Sequence, residues 1–322
     1  MRFSVDPWDP SYGASVDGEL AESSAEVDAG VEIPAEKWDP IDADPSLVPP
    51  EAVLFVDGVR RIDAQVWVEE GEGVASPALC ASYAAGVVCC CRDGGAHLVA
   101  AHVRRGLFAT VADGADVVTA AGPYRFSHTS ARPGADPTQV LSLAVQRAMG
   151  ETELLAAAQA RAEHGVADDL LVVDGPLRGR QHLPRAVGFV KTHDKTYLPA
   201  ELGGIVAALG SGQRTPVFRL GSAAQDLLAQ RFTWYLRLPC APGAPWAGVV
   251  RVECSGQLAP AEAVVLAGVS QGSLLRFAST EYKDSRAPQN LYPIAGLERQ
   301  LRRRLGDPKL LYRSLRRAAA AA

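Results

Sequence analysis

The stretch that most restricts the fold is Leu170–Arg180, which reads LLVVDGPLRGR. Four consecutive apolar residues leave a strand with no polar face. Such a strand is stable only when both sides are covered, as in the sheet of an α/β protein. Asp174-Gly175 then stops it. The chain does nearly the same at Ala52–Arg61, AVLFVDGVRR. Each run is expected to be a strand that ends in an aspartate, followed by a glycine that lets the backbone turn at once. In open α/β sheets, ligands bind beside the carboxyl ends of the strands.

The surroundings fit that reading. "RIDAQVWVEE", "ALCASYAAGVVCCCRD" and "AHLVAAHVRRGLFA" are apolar or alternating runs between turn residues, and predict a meander of strands after Ala52. The segment from Pro137 to Gly165 is rich in Ala and Leu, opens on proline and closes on glycine, so a helix is expected. Further strands are expected at "AVGFVKTH", "TPVFRL", "FTWYLRL" and "GVVRVEC". Helices are expected at "ELGGIVAAL" and "APAEAVVLAGVSQG", and one basic amphipathic helix towards the C-terminus. Residues 1–50 form an acidic, proline-rich arm, expected to be extended and pinned by Trp8 and Trp38. Residues 51–322 are expected to form one α/β domain.

The net charge of −5 argues against a general nucleic-acid coat, but the charge is polarised. Acids dominate from Met1 to Glu51, and Arg299–Arg317 is basic. That basic end is either a solvated face or a rim for a phosphate backbone. The six cysteines have no paired zinc spacing, which predicts reduced thiols in a cytoplasmic protein. The N-terminus has no apolar core of a signal peptide, and no run of about 20 apolar residues predicts a membrane span.

If the two Asp-Gly strands are neighbours, Asp57 and Asp174 converge. Close carboxylates repel unless a cation lies between them. Hard oxygen ligands suit Mg²⁺ or Mn²⁺, and two such ions roughly 3.5–4 Å apart can clamp the attacking and leaving oxygens of a phosphodiester. A third acid is needed. The long helix offers Glu151 and Glu153; the helical stripe of Val140, Ala144, Ala148 and Leu155 favours Glu151. Lys191, at the end of a third strand, is placed to neutralise a developing oxyanion. "GFVKT" lacks the first glycine of a phosphate loop and is not one. Arg60, Arg61, Arg178, Arg180 and Arg214, with Arg302, Arg303 and Arg304 of the basic helix, are candidate phosphate contacts. Phe218 and Trp234 are candidate stacking platforms or core residues.

The order "VDG", a helix with an acid, "LLVVDGPL" and "VGFVKTH" resembles the NurA nuclease family, over about Ala52 to Leu315. The resemblance implies a ribonuclease H-like mixed sheet flanked by helices, and metal-dependent cleavage of DNA in end processing and repair. It implies metal ligands at Asp57, Asp174 and a helix acid, with the family pattern leaning to Glu153; the residues leave Glu151 and Glu153 both open. It also implies a homodimer that works with a hexameric HerA-type ATPase. The family has a late histidine at its metal site, and this chain has none after His193. Asn290 or Glu298 is the candidate substitute. The missing histidine favours one rival, a weak or inactive nuclease-shaped module that docks on DNA ends or a ring ATPase. A kinase-like ATP enzyme is the second rival, but the Gly-rich phosphate turns it needs are not there.

Overall fold

The computed structural model describes residues 21–22, 25–70, 74–92, 94–164, 168–193, 195–221, 230–240, 245–280 and 287–321. Trp8 lies outside them. Strands β1 (Ala21–Glu22) and β2 (Glu26–Asp28) come from the acidic segment. Three long strands follow, β3 (Ala52–Glu70), β4 (Val74–Cys91) and β5 (Gly95–Ala109), then the short β6 (Val117–Thr119) and β7 (Gly122–His128). The long helix α1 spans Pro137–His164. Strands β8 (Asp169–Asp174), β9 (Ala186–Val190) and β10 (Lys195–Thr196) precede helix α2 (Ala200–Ala208). Strands β11 (Phe218–Gly221), β12 (Arg231–Arg237) and β13 (Val249–Ser255) lead to helices α3 (Pro260–Leu275), α4 (Tyr292–Arg304) and α5 (Pro308–Ala319). The protein is thus α/β, with a mixed sheet and flanking helices. No helix among the described residues is long and apolar enough to cross a membrane.

The chain divides into two compact units, and β3, β4, β5 and α4 pass from one to the other. The first holds residues up to Phe55, Cys89–Ala96 and Val166–Ala295. Its strands run in the order β2-β11-β12-β13-β9-β8, with the start of β3 beside β8. β8 and β9 are parallel, with Asp174 opposite Phe189; β9 to β2 pair antiparallel. β8 is apolar on both faces because both are covered: Leu170 and Val172 share a core with Phe55, Val187 and Phe189. Phe55 meets Phe277 edge-on at 4.9 Å, worth about 1 kcal/mol beyond the area buried. The acidic segment is an edge strand as well as an arm. β2 pairs with β11, and Trp38 packs on Phe218 while its Nε1–H donates to Ala29 O (2.9 Å).

The second unit holds Val56–Val88, His97–Gly165 and Gly296–Ala322. Its strands run β3-β4-β5-β7-β6, with β5 and β7 parallel. α1 lays Leu141, Ala144, Val145 and Met149 on Leu79, Ala81, Tyr83 and Phe108. Gly86 on β4 gives α4 close approach: a Cβ there would lie 3.2 Å from Leu297 Cδ1 and from Leu301 Cδ2.

The structure departs from two sequence expectations. The basic C-terminal helix is two helices. Gly306 turns with φ +84°, Asp307 caps α5 by accepting from Leu310 N–H (2.9 Å), and Pro308 cannot continue α4. Leu297, Leu301, Leu305, Leu311 and Leu315 are buried, and Leu310 is exposed. The strand expected to end at Asp57-Gly58 does not end there. β3 runs on for twelve residues past Gly58. Gly58 stays extended, and its role is to make room, not to turn.

Candidate functional site

In the first unit, β8 ends at Asp174 and Gly175 turns with φ +94°, so this Asp-Gly does what the sequence suggests. β9 ends at Val190, which puts Lys191 at the neighbouring strand end. Lys191 Nζ donates to Asp174 Oδ2 (2.7 Å) and to Asn290 Oδ1 (3.1 Å). Asn290 is fully buried, and the Lys191 and Asp174 side chains are 12% and 14% exposed. The pair is therefore a charge-assisted hydrogen bond in a largely dry setting. Asp174 Oδ1 is also buried and has no hydrogen-bond partner among the described residues. Asn290 thus lies at this site, as one of the two substitutes named for the missing histidine, but through Lys191.

The turn after Asp174 has a support that sequence reading missed. Leu177 N–H donates to Glu253 Oε1 (2.8 Å) on β13, and Arg251 Nη1 donates to Glu253 Oε2 (2.6 Å). Both charges are buried, and the Arg251 guanidinium lies 5.0 Å over the Tyr197 ring. Gly188 on β9 is required by the same packing: a Cβ would lie 2.8 Å from Gly175 O and 3.0 Å from Glu253 Cγ. The alternation in "VVRVECS", with Arg and Glu two apart on an otherwise apolar strand, was the available signal.

In the second unit, Asp57 is buried on β3 and accepts from Gly58 N–H (2.8 Å). α1 crosses here. A Cβ on Gly58 would lie 2.5 Å from Glu153 Oε1 and 2.8 Å from Met149 Cγ. Gly58 therefore admits the carboxylate of Glu153 beside the strand that carries Asp57. Glu153 is buried and Glu151 is exposed, which overturns the helical stripe that favoured Glu151. The buried face of α1 runs through Leu141, Val145, Met149, Thr152, Glu153, Ala156 and Ala160, while Leu143 and Leu155 face solvent. Glu298 is half-buried on α4.

The candidate phosphate contacts divide. Arg178 is exposed in the turn after β8, and Arg180 Nη1 donates to Pro176 O (3.4 Å) in the same turn. Arg60, Arg302, Arg303 and Arg304 are exposed, with Arg60 Nη1 on Ser142 Oγ (3.3 Å). Arg61 is structural: its Nε donates to Asp63 Oδ1 (2.8 Å) and its Nη1 to Gly306 O (2.8 Å). Arg214, expected as a phosphate contact, is buried. Its guanidinium is buried and grips Glu32 through both Nη atoms at 2.8 Å, with Nε on Gln271 Oε1 (3.2 Å). A buried guanidinium paired with a largely buried carboxylate is not open to DNA. Phe218 and Trp234 are wholly buried core residues, not stacking platforms. His193 is part of an aromatic cluster with Tyr235 and Trp246, and its Nε2–H donates to Val249 O (3.0 Å).

No protein-family model matches the sequence, and no curated protein matches it.

Proposed function

We propose that the protein is a divalent-metal-dependent nuclease acting on DNA, with Asp57 and Asp174 as acids of one centre. The carrying observation is Asp174. One carboxylate oxygen is held by Lys191, and the other is buried without a hydrogen-bond partner among the described residues. A buried oxygen left unpaired costs stability, unless a cation takes the lone pairs. Continuity of β3 supports bringing Asp57 to the same centre. Asp57 stands two residues past Phe55, which packs with Leu170 and Val172 of the strand that ends in Asp174. Glu298, half-buried on α4, is a further candidate acid. Glu153, admitted by Gly58, is the helix acid of the reading. An all-carboxylate set suits Mn²⁺ or Mg²⁺. Bound there, such ions supply Lewis acidity at a phosphate and ease deprotonation of water.

The chain's own residues do the rest. Lys191, anchored by Asn290, presents a positive charge beside Asp174, where negative charge grows on the phosphate oxygens. Arg178, in the turn after β8, and Arg60, on β3, offer guanidinium groups to flanking phosphates. The exposed Arg302, Arg303 and Arg304 extend that role along α4. The sequence resemblance supports a ribonuclease H-like core, a homodimer and a hexameric HerA-type ATPase as partner in DNA end processing. The test is cleavage of labelled single- and double-stranded DNA in Mg²⁺, Mn²⁺ and EDTA. Metal-dependent cleavage that disappears in Asp57→Asn and in Asp174→Asn is expected. Cleavage undiminished in either variant refutes the shared centre.

A further inference from the structure

The acidic centre leaves one face of α5 unexplained. This helix buries Leu311, Ser314 and Leu315. Lys309, Tyr312, Arg313 and Arg316 are exposed, and their spacing of i, i+3, i+4 and i+7 makes them one stripe. With Pro308 they line an open concavity of about 410 Å³. Three cations and one aromatic ring line it, and among the described residues no acid does. The nearest acid in sequence, Asp307, is engaged as the cap of the helix. Half of the Tyr312 surface is exposed.

The stripe is also held on a fixed base. Arg61 donates to Gly306 O and, at 3.5 Å, to Leu305 O at the corner between α4 and α5. Arg61 is itself fixed by Asp63, a buried carboxylate that also accepts from Ser82 Oγ (2.5 Å) and Tyr124 OH (2.9 Å). Leu315 packs on Leu107 and Tyr124. Charged side chains on a frayed end would be a solvated face; these stand on an anchored platform.

We infer that this stripe is a binding site for single-stranded nucleic acid, with one base stacked on Tyr312 and the flanking phosphates held by Lys309, Arg313 and Arg316. An anion alone would use the cations and leave the ring idle. An acidic protein segment would do the same. A nucleotide is anionic and planar at once, and uses both. The inference deepens the nucleic-acid reading above and rests on it, but it concerns binding and needs no metal.

The test is fluorescence anisotropy with the full chain in EDTA, using a labelled oligothymidine and a matched oligonucleotide with abasic positions. Tyr312→Ala is expected to weaken oligothymidine binding by about 5- to 100-fold. Tyr312→Phe should bind as the parent does. The abasic strand should not distinguish Tyr312→Ala from the parent. Replacing Lys309, Arg313 and Arg316 together with Ala should flatten the log–log salt slope by about 2. Unchanged oligothymidine binding by Tyr312→Ala overturns the site. So does an equal loss on the abasic strand, which would mean that no base stacks on the ring. A drop in assembly mass of Tyr312→Ala by light scattering, with binding unchanged, would assign the face to a second copy of the chain instead. If the parent binds in this way but never cleaves, the stripe stands and the nuclease reading falls. If it cleaves and Tyr312→Ala binds normally, the reverse holds.

Discussion

Lys191 Nζ lies 2.7 Å from Asp174 Oδ2, and the two residues stand at the ends of adjacent parallel strands. The register that sets Asp174 opposite Phe189 makes this contact, because Lys191 follows two residues later. Asp174→Asn keeps the shape and loses the charge. We predict that Mn²⁺ raises the melting temperature of the parent protein, and that Asp174→Asn removes this rise and abolishes cleavage. Lys191→Met should lower the rate by about 100- to 1000-fold, the usual cost of losing one group that stabilises a developing charge. A Lys191→Met rate within threefold of the parent would remove Lys191 from the mechanism.

Glu253 is predicted to act by positioning. Its Oε1 holds the Leu177 N–H in the turn after Asp174. Glu253→Gln keeps an acceptor there, whereas Glu253→Ala leaves the turn unsupported. The alanine variant should need about 10- to 100-fold more Mn²⁺ for half-maximal activity, with the glutamine variant much closer to the parent. Equal losses in both would show that the charge facing Arg251 matters, and not the turn.

Gly58 separates packing from chemistry. Its added Cβ would collide with Glu153 Oε1, the end of a flexible side chain, and with Met149 Cγ. Gly58→Ala should therefore cost only about 1–3 kcal/mol in urea unfolding, as Met149 and Glu153 give way. Displacing Glu153 should still remove most activity. A folded Gly58→Ala variant with full activity would exclude Glu153 as a ligand.

Arg214 gives the opposite pattern. Arg214→Ala strands Glu32, which also accepts from Val217 N–H (2.7 Å). Unfolding free energy should fall by about 3–5 kcal/mol. Affinity of the remaining folded protein for DNA should not change. A loss of DNA affinity without a loss of stability would restore Arg214 as a phosphate contact.

The thiols report on alkaline pH. Burial pushes Cys80 up to about 12, with Asp63 adding to it, and burial also raises Cys254. A folded value above the unfolded one gives stability that is complete below the unfolded value and lost as pH rises through the folded one. The denaturation midpoint should hold from neutral pH to about 8.5 as far as these thiols contribute, and fall beyond. At pH 8, Cys80 and Cys254 should be alkylated only after unfolding, by mass spectrometry. Rapid labelling of the native protein would contradict their burial.

Strand and helix identity was legible in one dimension. The apolar run Leu170–Val173, the Pro-to-Gly limits of α1 and the position of Lys191 just past a strand all depend on local pattern, and local pattern is a property of the chain. What needed the third dimension was which atom each residue faces. Val140 and Leu155 pull the apparent stripe of α1 off the face that packs, so the stripe favoured Glu151 while the residues left both acids open, and packing buried Glu153. The two Asp-Gly pairs look alike as text; Gly175 turns because β8 ends there, and Gly58 stays extended because α1 needs the space of its missing Cβ. Arg214 carries the same charge as Arg178, and only the fold put Glu32 against one and solvent around the other. Residue type sets what a side chain can do, while its partners come from segments far apart in sequence, whose meeting no local pattern encodes.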